Sequence, residues 1–202
     1  MGEAVTPCLI GIAGPSGSGK TAVARRVAAA LGAPIVSLDS YYRDMTNLPL
    51  EERARTNFDD PASLDEALLA AQVGAIARGE TVDVPEYDFS QHTRSGEFTR
   101  LTPAAHVIVE GLFALYWEQV RRLCRVKVFI ETPEEVCFER RLRRDMAERG
   151  RTEESVRAQY EATVRPMGER YVLPTRRFAD LVLDGTGSLE ESVAAVVKLA
   201  IR

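Results

Sequence analysis

Residues Gly14-Pro15-Ser16-Gly17-Ser18-Gly19-Lys20-Thr21 occupy every position of the pattern G-x-x-x-x-G-K-[ST], and their flanks constrain the fold as much as they constrain the ligand. Before the run, residues 8–13 are a short, continuous apolar stretch of the kind a strand buried on both faces requires. After it, Ala22, Val23, Val27, Ala28 and Leu31 recur at helical spacing, and Gly32 supplies the stop. A strand, a glycine loop and a helix in that order turn backbone N–H groups inward around a phosphate, and glycine is needed where a side chain would block the approach. Lys20 then supplies charge to the β and γ phosphates, the Thr21 hydroxyl is placed to hold Mg²⁺, and the positive end of the helix lies beneath the nucleotide. The chain is therefore expected to use a nucleoside triphosphate.

Strand and helix patterns continue to alternate, which predicts a mainly parallel sheet. Residues 34–38 read as a second strand ending at Asp39. Ser63-Leu64-Asp65-Glu66 reads as a capping box opening a helix to about Arg78, with Gly79 as its stop. Residues 82–98 suggest two short strands around a polar turn at 90–96, an antiparallel flap inserted into the βα alternation. Strands follow at 106–110, ending in Glu110, and at 125–130. Thr132-Pro133-Glu134-Glu135 combines a capping box with proline at the first helical position, and the helix beyond carries Arg140, Arg141, Arg143, Arg144, Arg149 and Arg151. A strand at 180–183 and a helix capped by Ser188 with Glu191 close the pattern. At 202 residues, 45% hydrophobic, the chain is expected to form one α/β domain over residues 1–202, with a flap at about 82–99 and a lid at about 139–160.

A net charge of −4 argues against a nucleic-acid surface. Cys8, Cys124 and Cys137 are odd in number and lack metal-ligand spacing, which reads as reduced core cysteines in a cytoplasmic protein. No apolar stretch approaches a membrane span, and the N-terminus lacks a secretion pattern.

In an open parallel sheet ligands collect beyond the carboxyl ends of the strands, where the Gly14 loop, Asp39 and Glu110 all lie. Phosphoryl transfer needs Mg²⁺, positive charge on the transferred group and a carboxylate near the attacking hydroxyl, and Asp39 and Glu110 could supply the acidic pieces. The arginine-dense helix could be a solvated face paired with Glu135, Glu139 and Glu148. Six arginines within thirteen residues cover several faces, however, so some are expected to meet a polyanion under a helical lid.

Taken together, GPSGSGKT from Gly14, LDSYY from Leu38, NFDDPASLD from Asn57, PEYDFSQHTR from Pro85, IVEGLFAL from Ile108, RRLRRD from Arg140, ERGR from Glu148 and PTRRFAD from Pro174 resemble the uridine-cytidine kinase family, from Leu9 to about Gly187. The resemblance implies a P-loop kinase fold and transfer of a phosphoryl group from ATP, or GTP, with Mg²⁺, to the 5′-hydroxyl of uridine or cytidine. It implies that Gly14, Ser16, Gly17, Ser18, Gly19, Lys20 and Thr21 bind the phosphates, with Arg149 and Ser188 on the nucleotide side. Asp39 would act on the 5′-hydroxyl and share Mg²⁺ with Thr21 and Glu110, while Lys20 and Arg144 would stabilise the transferred charge. Asp59, beside Phe58, would hold the ribose hydroxyls; Tyr87, Phe89 and His92 would pack around the pyrimidine; Arg141, Arg151 and Gln159 would complete the acceptor side. Asp60 stands where the family usually has histidine, and Ser188 where it often has an acid. A homotetramer is expected by the same resemblance.

Two other readings fit the phosphate loop: a kinase of another small hydroxyl acceptor, such as pantothenate or a sugar phosphate, and a nucleotide-dependent switch. A phosphorylated acceptor would want basic residues facing its pocket, and Arg94 in the flap keeps that reading open. A GTPase switch would need an N-K-x-D run, which the sequence lacks.

Overall fold

A computed structural model of the protein describes residues 6–202; the first five residues, part of the N-terminal reading above, lie outside it. The strands are β1 (Cys8–Ala13), β2 (Ile35–Ser37), β3 (Val82–Asp88), β4 (Thr93–Leu101), β5 (His106–Glu110), β6 (Cys124–Glu131) and β7 (Leu181–Asp184). The helices are α1 (Lys20–Leu31), α2 (Leu50–Ala54), α3 (Glu66–Ala77), α4 (Glu118–Arg121), α5 (Glu134–Arg149), α6 (Glu153–Gln159), α7 (Arg165–Met167) and α8 (Leu189–Ala200). Five strands form a sheet in the order β2-β5-β1-β6-β7, with every neighbouring pair parallel. Strands β3 and β4 pair only with each other, antiparallel.

Helices on both faces of the sheet explain why its strands read as unbroken apolar runs. On one face Ile10, Ile12, Val128 and Ile130 pack with Val23 and Val27 of α1 and Val196 of α8. On the other, Leu9, Val107 and Val109 pack with Leu69 and Val73 of α3 and with Phe113. Gly32 ends α1 in the left-handed conformation, its N–H donating to the Ala28 carbonyl, as the sequence suggests.

Several local expectations are corrected. The second strand stops at Ser37, and Leu38 and Asp39 belong to a 3₁₀ turn, Leu38–Tyr41. The cap of α3 is Asp65, whose side chain accepts from the Leu68 N–H, rather than Ser63. Ser63 ends a 3₁₀ turn, Pro61–Ser63, which is itself capped by Asp60 through the Ala62 N–H at 2.8 Å. The flap strands extend further than expected, leaving only residues 89–92 as the turn. Thr132 does not cap α5; its hydroxyl donates instead to the Ser18 carbonyl at 3.0 Å, and the helix begins at Glu134. Arg151 lies past the end of α5, beyond Gly150 in the left-handed conformation.

The tail PTRRFAD has a structural role in these contacts. Arg176 pairs with Glu131 at 2.8 Å, Asp180 with Lys127 at 3.0 Å, and the Arg121 guanidinium stacks 3.7 Å over the Phe178 ring. Among the described residues, no helix is long and apolar enough to cross a membrane.

Candidate active site

The carboxyl ends of β1, β2 and β5 bring the glycine loop, Asp39 and Glu110 to one edge of the sheet. The loop tolerates no bulk at two points. A Cβ on Gly14 would stand 2.7 Å from both the Ile130 carbonyl oxygen and Ser18 Oγ. A Cβ on Gly17, where φ is +83°, would overlap the Cys137 carbonyl oxygen. The outer side of the loop is clamped. Ser18 O accepts from Thr132 Oγ1 at 3.0 Å and from Arg140 Nη1 at 3.4 Å, and the same Arg140 nitrogen reaches Gly185 O at 3.0 Å. A planar trans peptide with its carbonyl held outward turns the N–H of Gly19 to the inner side.

Inside the loop Lys20 Nζ donates to Pro15 O at 3.4 Å. Burial lowers the Lys20 pKa, as does Arg144, while Glu110 and Asp39 oppose the shift. Glu110 is buried and accepts from Thr21 Oγ1 at 3.2 Å and from Ser37 Oγ at 3.1 Å. Its pKa is raised, chiefly by burial and further by Asp39, against the pull of Lys20 and the two hydroxyls. Asp39 is exposed on its turn.

The flap, the segment before α3 and Tyr42 bring a cluster of aromatic rings together, termed the cage. Phe58 and His92 stack with ring centroids 5.5 Å apart, Tyr42 lies 5.2 Å from both Phe58 and Tyr87, and Phe89 joins through Tyr87 at 5.2 Å. Phe89 is half exposed at the flap tip. The Tyr87 hydroxyl is buried without a hydrogen-bond partner, a condition that costs roughly 1–3 kcal/mol. His92 has φ +50°, and burial, with Arg149, lowers its pKa against the pull of Asp88. Arg94 does not face this cage as a free cation: it donates to the Tyr42 carbonyl at 3.0 Å and pairs with Asp65 at 3.2 Å.

Asp59 is buried between the cage and the lid, 3.7 Å from Arg141 Nη1. Burial raises its pKa despite Arg141 and Lys20; Asp60, committed to its own turn, is not among the causes. Arg141 ties the two halves together, donating to Ser16 Oγ in the loop at 3.0 Å and to Gln159 Oε1 at 3.1 Å. Arg151 also donates to Gln159 Oε1. Of the six arginines, Arg143 takes the solvated role, pairing with Glu139 at 3.5 Å, and Arg140 serves the loop clamp. The other four converge on Asp145. Ser188 accepts from the Glu191 N–H as the cap of α8.

Sequence reasoning missed three residues here. Tyr42, whose hydroxyl donates to the Phe58 carbonyl at 3.1 Å, reads as one of a tyrosine pair, and only its neighbours in space make it the centre of the cage. Arg140 and Asp145 lie in the RRLRRD run, but their roles depend on partners in the glycine loop and among the neighbouring arginines.

An open parallel sheet with a glycine loop and helix N-terminus at the carboxyl end of its central strand, and the arginine-dense helix α5 reaching that loop through Arg140 and Arg141, defines a P-loop phosphotransferase. The chain belongs to the phosphoribulokinase/uridine kinase family, whose sequence model matches residues 9–190. It is 47% identical to a uridine kinase of Deinococcus deserti over 94% of this chain and 93% of that one. A uridine kinase of Lactobacillus helveticus is 42% identical over 96% and 93%. Among solved structures, that of a candidate fructose transport system kinase from Silicibacter sp. TM1040 shares the fold, with a TM-score of 0.72 at 23% identity over 88% of this chain and 89% of that one. The protein is a kinase that uses a nucleotide as phosphoryl donor and a small molecule as acceptor.

The acidic side chain of this site already carries a testable cost. Because burial raises the Asp59 pKa above its ordinary 3.8, the ionised group opposes folding, and that opposition grows as pH rises through the folded pKa. Asp59→Asn is therefore expected to melt at or above the wild-type temperature, by up to a few degrees at about pH 8. In thermal melts the difference should shrink as pH falls toward 3.8.

Proposed function

We propose that the protein transfers the γ-phosphoryl group of ATP to the 5′-hydroxyl of uridine or cytidine, giving UMP or CMP. The observation that carries the acceptor assignment is the aromatic cage around the unpartnered Tyr87 hydroxyl, with Asp59 and Arg141 beside it. A flat heteroaromatic ring with polar edges satisfies the cage, and vicinal hydroxyls satisfy a carboxylate with two acceptor oxygens. Pinning of Arg94 by Asp65 weighs against a phosphorylated acceptor at the flap. The uridine kinases at 47% and 42% identity point the same way.

In this reading the loop N–H groups and Lys20 hold the β and γ phosphates, and Asp39 orients the 5′-hydroxyl and accepts its proton as the bond to phosphorus forms. Arg144 balances charge on the transferred group, while Arg141, Arg151 and Gln159 close the acceptor side and exclude water. Thr21, Glu110 and Asp39 would hold Mg²⁺. The fit is supported by the buried Glu110 carboxylate, kept beside a hydroxyl at a desolvation cost that a cation would relieve. Mg²⁺ takes few protein ligands and completes its shell with phosphates and water, and it neutralises charge on the phosphate oxygens.

ATP consumption by the purified protein should depend on added uridine or cytidine and yield the 5′-monophosphate; a rate unchanged by either nucleoside would defeat the assignment. His92→Asn is expected to shift the uridine-to-cytidine ratio of kcat/KM by about tenfold while the KM for ATP moves less than about threefold. A change confined to the ATP constant would remove the flap from the acceptor site.

A further inference from the structure

Asp145 has no exposed surface, yet it sits in the most arginine-dense stretch of the chain. Its Oδ1 accepts from Arg144 through both Nη2 at 2.8 Å and Nε at 3.0 Å, and Arg149 Nη1 stands 3.4 Å from the same oxygen. Its Oδ2 faces Arg141 Nε at 3.5 Å and Arg151 Nη1 at 3.8 Å. Neither Oδ2 nor Arg141 Nε completes a hydrogen bond, so the two sides of the cluster differ: the Arg144 side is locked and the Arg141 side is loose. The backbone of Asp145 holds the same region, because its carbonyl accepts from the N–H groups of Gly150 and Arg151, which closes the turn that carries Arg149 and Arg151.

Four guanidiniums gathered without an anion would repel one another and scatter over many rotamers. One buried carboxylate with about four acceptor sites removes both problems. Arg141 reaches the phosphate loop at Ser16 and Arg144 acts on Lys20 through its charge, so the arginines that Asp145 gathers are those facing the reacting groups.

We infer that Asp145 is the positioning residue of the lid: it touches no substrate, and through its own carboxylate it sets Arg144 and Arg149 in place on the nucleotide side and Arg141 and Arg151 on the acceptor side. The inference rests on the kinase reading above for its rate measurement, while a binding measurement free of any nucleoside tests it separately.

The experiment is a double-mutant cycle between Asp145→Asn and Arg144→Ala in the full chain, followed in two ways: kcat with uridine at saturating ATP, and affinity for a non-hydrolysable ATP analogue relative to ADP. Each single variant is expected to lower kcat by about 10- to 100-fold and to reduce the preference for triphosphate over diphosphate by about tenfold, the size seen when a supporting partner of a functional group is removed. The double variant should be no more than about threefold below the worse single one, since Arg144 is already misplaced once the carboxylate is neutral. Asp145→Glu, which keeps the charge but moves it by one methylene, should fold and show the same loss; it carries the cycle if the asparagine variant does not fold. Multiplicative losses, or a wild-type kcat and triphosphate preference in both Asp145 variants, would overturn the inference. If the wild-type protein turned over no pyrimidine nucleoside but the titrations were coupled, the acceptor assignment would fall and the positioning role would stand; additive titrations in that case would remove both.

Discussion

Asp39→Asn is expected to lower kcat by about two to four orders of magnitude while leaving the affinity for an ATP analogue within about threefold of wild type. Asp39 lies on the turn just past β2, exposed at the carboxyl edge of the sheet, and its charge is felt by both Lys20 and Glu110. In the proposed reaction Asp39 acts on a hydroxyl that becomes acidic only as it attacks, so its contribution is concentrated in the transition state. Asparagine preserves the shape and one acceptor oxygen but cannot take the proton. Initial rates at saturating uridine, set beside calorimetric titration of the analogue, separate the two effects. Unchanged turnover would assign proton acceptance to another group; equal losses in turnover and nucleotide affinity would make Asp39 a binding residue.

Gly17→Ala should abolish nucleotide binding, with affinity reduced by at least about 100-fold. A methyl group there would overlap the Cys137 carbonyl oxygen and lie 2.9 Å from its carbonyl carbon, and the backbone φ of +83° is one that alanine resists. Neither neighbour can yield cheaply, because the obstacle is main chain in the first turn of α5 rather than the tip of a side chain. Overpacking of this kind costs roughly 1–3 kcal/mol even where surroundings adjust. Here adjustment would move the loop away from the base of the lid, so binding should fail before folding does. A folded variant, by circular dichroism, with wild-type affinity for the triphosphate would show that the loop and α5 separate freely.

Much of the donor half was legible because its signals are local. Gly14 to Thr21, the apolar run before it and the Ala-rich helix after it are contiguous, and each element obeys its own periodicity. The errors arose where a residue with a strong local preference had a better partner far away. Thr132 has the composition of a helix cap, but the Ser18 carbonyl, 114 residues earlier, takes its hydroxyl. Ser63 lost the cap of α3 because Asp60 forms a tighter turn just before it, which leaves Asp65 nearest the helix. Asp145 was hidden for a different reason. A lone acid among arginines at one-turn spacing looks like a surface pair, and only burial distinguishes a carboxylate that gathers four guanidiniums from one that solvates. The acceptor-site proposal rests on resemblance of its motifs to a known family; composition and spacing alone would have left Tyr87 and Phe89 as core residues.

Strands β3 and β4 share no backbone hydrogen bond with the five-stranded sheet. If the hairpin selects the acceptor, as proposed, that surface can drift in sequence without straining the phosphate loop, and a lineage keeping one energy source could acquire new clients by editing a single hairpin.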